Sequence, residues 1–198
     1  MRQTGSSVQQ QAYTGVVVLL VLTFGAGFLV GRHGGISELG GTPAGGSDGD
    51  LACWFSPRGG CTEAVVAEIS RANRSIQVLS YTFTSRPIAN ALIDARHRGV
   101  QVTIVADKSE QRDNHSEIAT LARAGVPVYI DSRHAIAHNK VMVIDAATVI
   151  TGSFNFTHAA EFENADNVLV IHHHPAIAAA YADNFQHHLS HSDPYTGG

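Results

Sequence analysis

Apolar, β-branched runs alternate with helix-like stretches over most of the chain. SIQVLSYTF (Ser75–Phe83), VQVTIVAD (Val100–Asp107), VPVYID (Val126–Asp131), KVMVID (Lys140–Asp145), TVITG (Thr148–Gly152) and NVLVI (Asn167–Ile171) have the length and composition of strands. CTEAVVAEISRAN, RPIANALIDARHRG and SEIATLARAG between them read as helices, and a last helix is expected over Pro175–His188. Pro87 stands near a helix start, and Gly99 and Gly125 fall where a glycine ends one. Strands alternating with helices of this length imply parallel βαβ units, with a hairpin at Asp145–Thr148. The expected fold class is therefore α/β: a mixed, largely parallel sheet flanked by helices.

The first fifty residues follow another pattern. No charge occurs from Gln3 to Gly31, and Val16–Val30 reads VVVLLVLTFGAGFLV. About 20 such residues can span a bilayer, so residues 1–31 are predicted to be a transmembrane signal anchor. No A-x-A follows the apolar run, which favours an anchor over a cleaved signal peptide. Arg2 and Arg32 lie on either side of it and leave the orientation open. RHGG, GG and PAGGSDGD within residues 32–50 have the composition of a flexible tether, so a catalytic domain is expected over 51–198.

Charge and cysteine content narrow the picture. The formal net charge is −4, so no strong overall field draws the chain to polyanions, and a nucleic-acid substrate would need a local basic cluster. Cys53 and Cys61 are the only cysteines and flank WFSPRGG. On an exported domain they would form a disulfide contributing about 2–3 kcal/mol by closing a short loop. In a reducing compartment they would be free thiols, and zinc would require two further ligands.

The densest chemistry is HNKVMVID (His138–Asp145), followed by GSFN (Gly152–Asn155). Alternation in an extended strand turns His138 and Lys140 to the same face, an imidazole beside a fixed cation. Ser153 and Asn155, likewise two apart, can offer a hydroxyl and an amide to the same tetrahedral oxyanion. Separately these are a surface histidine, a solvated lysine and an ordinary turn; together, H-x-K-x4-D followed by G-S-x-N is a rare coincidence of identities.

With these motifs the chain resembles the phospholipase D superfamily, and more narrowly its Nuc-like branch of small bacterial endonucleases. SYTFTS (Ser80–Ser85), RGVQVTIVAD (Arg98–Asp107) and the stretch from His138 to Asn167 carry the resemblance, which covers essentially everything after Leu51. It implies a phospholipase D-like fold and a phosphodiesterase that needs no cofactor and no metal. His138 would attack phosphorus to form a phosphohistidine, Lys140 and Asn155 would bind the non-bridging oxygens, and Ser153 would support the site. Asp166 aligns with the acidic residue that holds the catalytic imidazole through its second nitrogen; Glu163 is the reserve for that role. Asp145 completes the signature at the far end of its strand and reads as a structural acceptor for the following turn.

The chain has one H-x-K, whereas displacement through a covalent intermediate calls for a nucleophile and a separate acid. A symmetric homodimer sharing one cleft supplies the second imidazole. The histidine runs His172–His174 and His187, His188, His191 could attract metals, but adjacent strand side chains diverge, so surface or substrate-groove histidines are expected. His134 and His158 near the signature, and His115 in a polar loop with Lys108 and Arg112, are candidates only for backbone contacts to substrate. The leading reading is a membrane-tethered, metal-independent endonuclease acting on DNA or RNA, held at a bacterial inner membrane with its domain in the periplasm or outside the cell. A lipid phosphodiesterase at the membrane is the alternative, and a non-catalytic nucleic-acid-binding module a third.

Overall fold

Because strand side chains alternate, one sheet can bury two different apolar faces, and here it does. The computed structural model describes residues 46–197; the anchor expected at 1–31 and most of the tether lie outside them. Among the described residues no helix is long and apolar enough to cross a membrane. Strands β1 (Gly46–Asp48), β2 (Leu51–Phe55), β3 (Ser75–Ser80), β4 (Gln101–Asp107), β5 (Val128–Asp131), β6 (Lys140–Ile144), β7 (Thr148–Gly152), β8 (Asn167–Ile171) and β9 (Asp193–Pro194) form one sheet in the order β1-β2-β8-β7-β6-β3-β4-β5-β9. The helices are α1 (Cys61–Arg71), α2 (Arg86–His97), α3 (Ile118–Arg123), α4 (His158–Phe162) and α5 (Pro175–Leu189), with a 3-10 turn at Lys108–Arg112.

The sheet corrects the expectation of a largely parallel one. Only β3–β4 and β4–β5 pair in parallel, as the βαβ units around α2 and α3 require. The other six pairs are antiparallel. The chain does not place β2 beside β3: β6, β7 and β8 insert between them, and β2 closes on β8. The expected hairpin joins β6 to β7, with Asp145 and Ala146 both left-handed (φ 55° and 57°) and the Ala147 amide donating to the Ile144 carbonyl at 3.0 Å, a type I′ turn.

Even-numbered residues of β3, β4 and β6, such as Ile76, Val78, Ile104, Met142 and Ile144, pack under α1, α2 and α3 through Val65, Ile69, Leu92 and Leu121. Odd-numbered Leu79, Val105, Val141 and Val143 pack under α5 through Phe185 and Tyr181. This alternation also overturns the Cys53–Cys61 disulfide. Trp54 faces the first core, which contains Cys61, so its neighbour Cys53 faces the other side of the sheet. Both thiols are free. Burial first, then nearby Glu161 and Asp166, pushes the Cys61 thiol up to about 12.

Candidate active site

One end of the sheet gathers His138, Lys140, Ser153 and Asp166. Ser80 lies opposite Lys140 in the β3–β6 pair and opposite Ala106 in the β3–β4 pair, so β3, β4 and the start of β6 reach this end together. The close of β7 joins them, because Gly152 pairs with Val168 at the start of β8. A glycine is required there: at φ +150° a Cβ would lie 2.2 Å from the Asn167 carbonyl oxygen.

His138 and Lys140 emerge on the same face. The His138 ring is exposed and packs at 4.6 Å between centroids on Tyr81. Among the described residues its imidazole makes no hydrogen bond. Lys140 is only 6% exposed. Its ammonium donates to the His138 carbonyl at 2.9 Å and stands 5.0 Å from the Tyr81 ring centroid. Burial lowers the ammonium below the usual lysine range, against an opposing pull from the Asp166 carboxylate.

Ser153 and Asp166 form a second pair. The Ser153 hydroxyl donates to Asp166 Oδ1 at 2.7 Å and accepts from the Asn167 amide and side chain at 3.1 and 3.2 Å. The Asp166 backbone is clamped to Ser56, whose hydroxyl accepts from the Asp166 N–H. Asp166 therefore sits within electrostatic reach of Lys140 but is bonded to Ser153, not to the His138 ring as expected. Glu163, the reserve, is exposed, with no side-chain hydrogen bond among the described residues. Asn155 Oδ1 is buried, with no hydrogen-bond partner among the described residues. With the amide turned over, the same position presents an N–H donor, which a phosphate oxygen can satisfy.

A family described as cardiolipin synthase, PLD-like domain, matches residues 65–189. The chain belongs to the phospholipase D superfamily. It is 44% identical over 154 residues to a phospholipase D of Rickettsia felis, covering 78% of this chain and 73% of that one. It is 33% identical over 124 residues to a mitochondrial cardiolipin hydrolase of Xenopus tropicalis, covering 63% and 59%. Among solved structures it is similar to the phospholipase D family member Nuc of Salmonella typhimurium, with TM-score 0.71, 37% identity, and coverage of 73% of this chain and 97% of that one.

The acid of the phospholipase D signature lies far from the exposed imidazole. The five-residue β6 separates Asp145 from the His138 end, roughly 17–20 Å of extended chain. Asp145 is a structural acceptor, but not for the turn that follows it: its carboxylate takes the amides of Asn73, Arg74 and Ser75 at 2.9, 2.7 and 2.9 Å and so ties the α1–β3 connection to the hairpin. Burial raises its pKa, but these three donors and Arg74 outweigh it and hold the carboxyl below its ordinary value.

Three residues that shape the site went unread in the sequence. Tyr81 supports both His138 and Lys140, and its amide donates to the Asn139 carbonyl at 2.9 Å. Asp107, buried at the end of β4, accepts the Ala137 amide at 2.7 Å and the Ser109 amide at 2.8 Å, which holds the loop one residue before His138. Burial raises its pKa, but those hydrogen bonds prevail and lower it. Glu161, buried in HAAEFENADN beside the two acids considered, accepts the Gly60 and Thr62 amides at the start of α1. An aspartate closing a parallel strand was the one available signal, since such sheets position sites at carboxyl ends. A cleft of about 720 Å³, lined by Arg86, Glu110, His115 and Tyr195 among others, contains none of the signature residues. His115 lies there, apart from His138.

Proposed function

We propose that the protein is a metal-independent phosphodiesterase, an endonuclease of DNA or RNA, working through a phosphohistidine on His138. The observation that carries this reading is the pairing of an exposed imidazole, unbonded among the described residues, with a buried ammonium on one face; just past the close of the neighbouring β7, the buried Asn155 amide oxygen has no partner among the described residues. A His138 ring nitrogen forms a bond to phosphorus as the phosphorus–oxygen bond to the leaving alcohol breaks. Lys140 and Asn155 balance charge on the non-bridging oxygens. A second imidazole gives its proton to the departing oxygen, then takes one from the water that releases the phosphate from His138. Ser153 orients Asp166, which lies close enough to stabilise Lys140 and any imidazolium formed beside it.

The second imidazole comes from another copy of the chain. One H-x-K per chain supports this, as does the open surface around His138, where Ile136 is 57% exposed. The segment 1–31 would anchor the dimer to a membrane with the domain on the exported side. The names of the relatives favour one other reading, hydrolysis of a phospholipid head group, and the same chemistry would serve it.

The test uses the full chain on single- and double-stranded DNA, RNA and cardiolipin-containing vesicles, with and without added Mg²⁺, Ca²⁺ or Mn²⁺. Nucleic-acid cleavage indifferent to added ions, with an acid-labile phosphoenzyme absent from His138→Ala, is the expected result. A requirement for added ions, or cleavage by His138→Ala, would overturn the mechanism, and turnover of vesicles alone would select the lipid reading. When wild type and His138→Ala are mixed and allowed to exchange, activity should follow the square of the wild-type fraction; linear dependence would exclude a shared site.

A further inference from the structure

On the other face of the sheet from His138, one carboxylate and three imidazoles converge more closely than hydrogen bonding among them explains. Asp131 ends β5 with 0% exposure. Its Oδ2 lies 2.8 Å from His134 Nδ1, 2.7 Å from His188 Nδ1 and 3.4 Å from His191 Nε2. The four atoms all fall within 4.8 Å of one another. One carboxylate oxygen offers two lone pairs, so three imidazole nitrogens facing it leave one without an acceptor. The His191 side chain is only 8% exposed and has little water to turn to. Meanwhile Oδ1 is already engaged by the Arg133 and His134 amides at 3.0 and 3.3 Å.

We propose that Asp131, His134, His188 and His191 bind one zinc ion, which fastens the end of α5 to the loop that carries His138. Zinc takes four nitrogen and oxygen donors at about 2.0–2.1 Å, so tetrahedral donors stand roughly 3.3 Å apart. The present spacings, from 2.7 Å to no more than 4.8 Å, bracket that value, and small movements of the carboxylate and the rings complete the shell. Three imidazoles with one carboxylate suit zinc and its transition-metal neighbours, not magnesium or calcium, which prefer oxygen. Four protein donors leave no open position, so the ion is structural and takes no part in hydrolysis.

The surroundings are those of a held site. The two Oδ1 bonds orient the carboxylate, and Lys108 Nζ donates to the His134 carbonyl at 2.8 Å. His188 Nε2 stands 3.5 Å from the Asn139 side-chain nitrogen. With Nδ1 on the metal, Nε2 carries the proton, and the Asn139 amide turned over accepts it. Asn139 lies between His138 and Lys140 and points to the opposite face from both, so a single amide links this cluster to the catalytic pair. The other histidine run behaves differently: His172 pairs with Glu68 and His173 with Asp50, each alone.

The test is the metal content of the full chain, purified without an oligohistidine tag from zinc-supplemented medium and dialysed before elemental analysis. The expected result is about one zinc per chain, absent from His134→Ala/His191→Ala and retained by His173→Ala/His174→Ala and by His138→Ala. Cobalt(II) in place of zinc should give the intense visible bands of a tetrahedral site. Stripping the ion should lower Tm by ~10 °C, and zinc should restore it. A zinc content below about one tenth per chain together with no tetrahedral cobalt spectrum in the wild type would overturn the proposal, even if the double variant failed to fold. Zinc retained by a folded double variant would overturn it equally. Because His138→Ala keeps its zinc, failure of the nuclease reading and failure of this one are distinguishable.

Discussion

The two ends of β6 solve opposite problems with residues of the same signature. At the His138 end the polar groups are left wanting: an imidazole with no hydrogen bond among the described residues, an ammonium at 6% exposure, an amide oxygen with no partner. At the Asp145 end one carboxylate takes three amides within 2.9 Å. A buried polar group without a partner costs about 1–3 kcal/mol, so the Asn155 amide is a cost that a bound ligand removes, while the Lys140 ammonium has its bond to the His138 carbonyl. The second end is where the fold offsets it. H-x-K-x4-D thus combines the proposed reactive pair and a structural clasp, held apart by one rigid strand.

The comparison breaks first if the chemistry does not reside at the His138 end. His138→Ala should lower kcat by ~10⁴-fold or more, while Tm stays almost unchanged, because the ring is exposed and makes no hydrogen bond among the described residues. Steady-state kinetics alongside thermal melts separate the two, and a large loss of Tm would mean that the residue is structural. Lys140→Met should cost about 10²–10³-fold in kcat. Its Tm should hold or rise, because an apolar side chain of similar length replaces a buried charge.

The Asp145 end should invert that pattern. Asp145→Ala strands three amides and places alanine at φ 55°, which should cost about 3 kcal/mol and lower Tm by roughly 10 °C. The kcat of the folded variant at low temperature should remain that of wild type. Asp145→Asn keeps one acceptor and should recover part of the loss. If Asp145→Ala abolished turnover with its melt unchanged, the division of labour along β6 would be wrong.

This division was half visible in the sequence. β7 and β8 could be bounded to the residue because Gly152 and the flanking polar turns punctuate two short β-branched runs. β2 was not visible: LACWF sits among turn-forming residues and becomes a strand through pairing with β8 more than a hundred positions away. Distance in sequence also concealed Asp107 and Asp131, whose value depends on which loop crosses the end of their strands. Adjacent histidines diverge on a strand, but His188 in the last turn of α5 and His191 just beyond it are three apart and share a side. Their third and fourth partners, His134 and Asp131, come from a loop and a strand that no local period connects. Asp166, expected on the His138 ring, is bonded to Ser153 instead, and nothing local in the sequence signals the tie between its backbone and Ser56.

The finest distinction between the two ends is how each responds to acid. Asp107 guards the His138 end by holding the Ala137 amide, and Asp145 guards the other by holding Asn73, Arg74 and Ser75. Both carboxyls sit below the ordinary value of 3.8, since hydrogen bonds outweigh burial. A group whose folded pKa is depressed contributes stability that is fully present above its unfolded pKa and is lost as pH falls through the folded value. Stability should therefore hold down to about pH 4 and decline below it, with less of a decline in Asp145→Asn, which no longer titrates there. Asp107→Asn should flatten the acid limb in the same way. It should also lower kcat at neutral pH by about 3- to 10-fold, because it loosens the loop one residue from His138 and misplaces the ring. Asp145→Asn should not lower kcat. Denaturant titrations at several pH values, paired with kcat at pH 7, give both readouts. Equal kcat in the two asparagine variants would show that Asp107 acts on global stability alone.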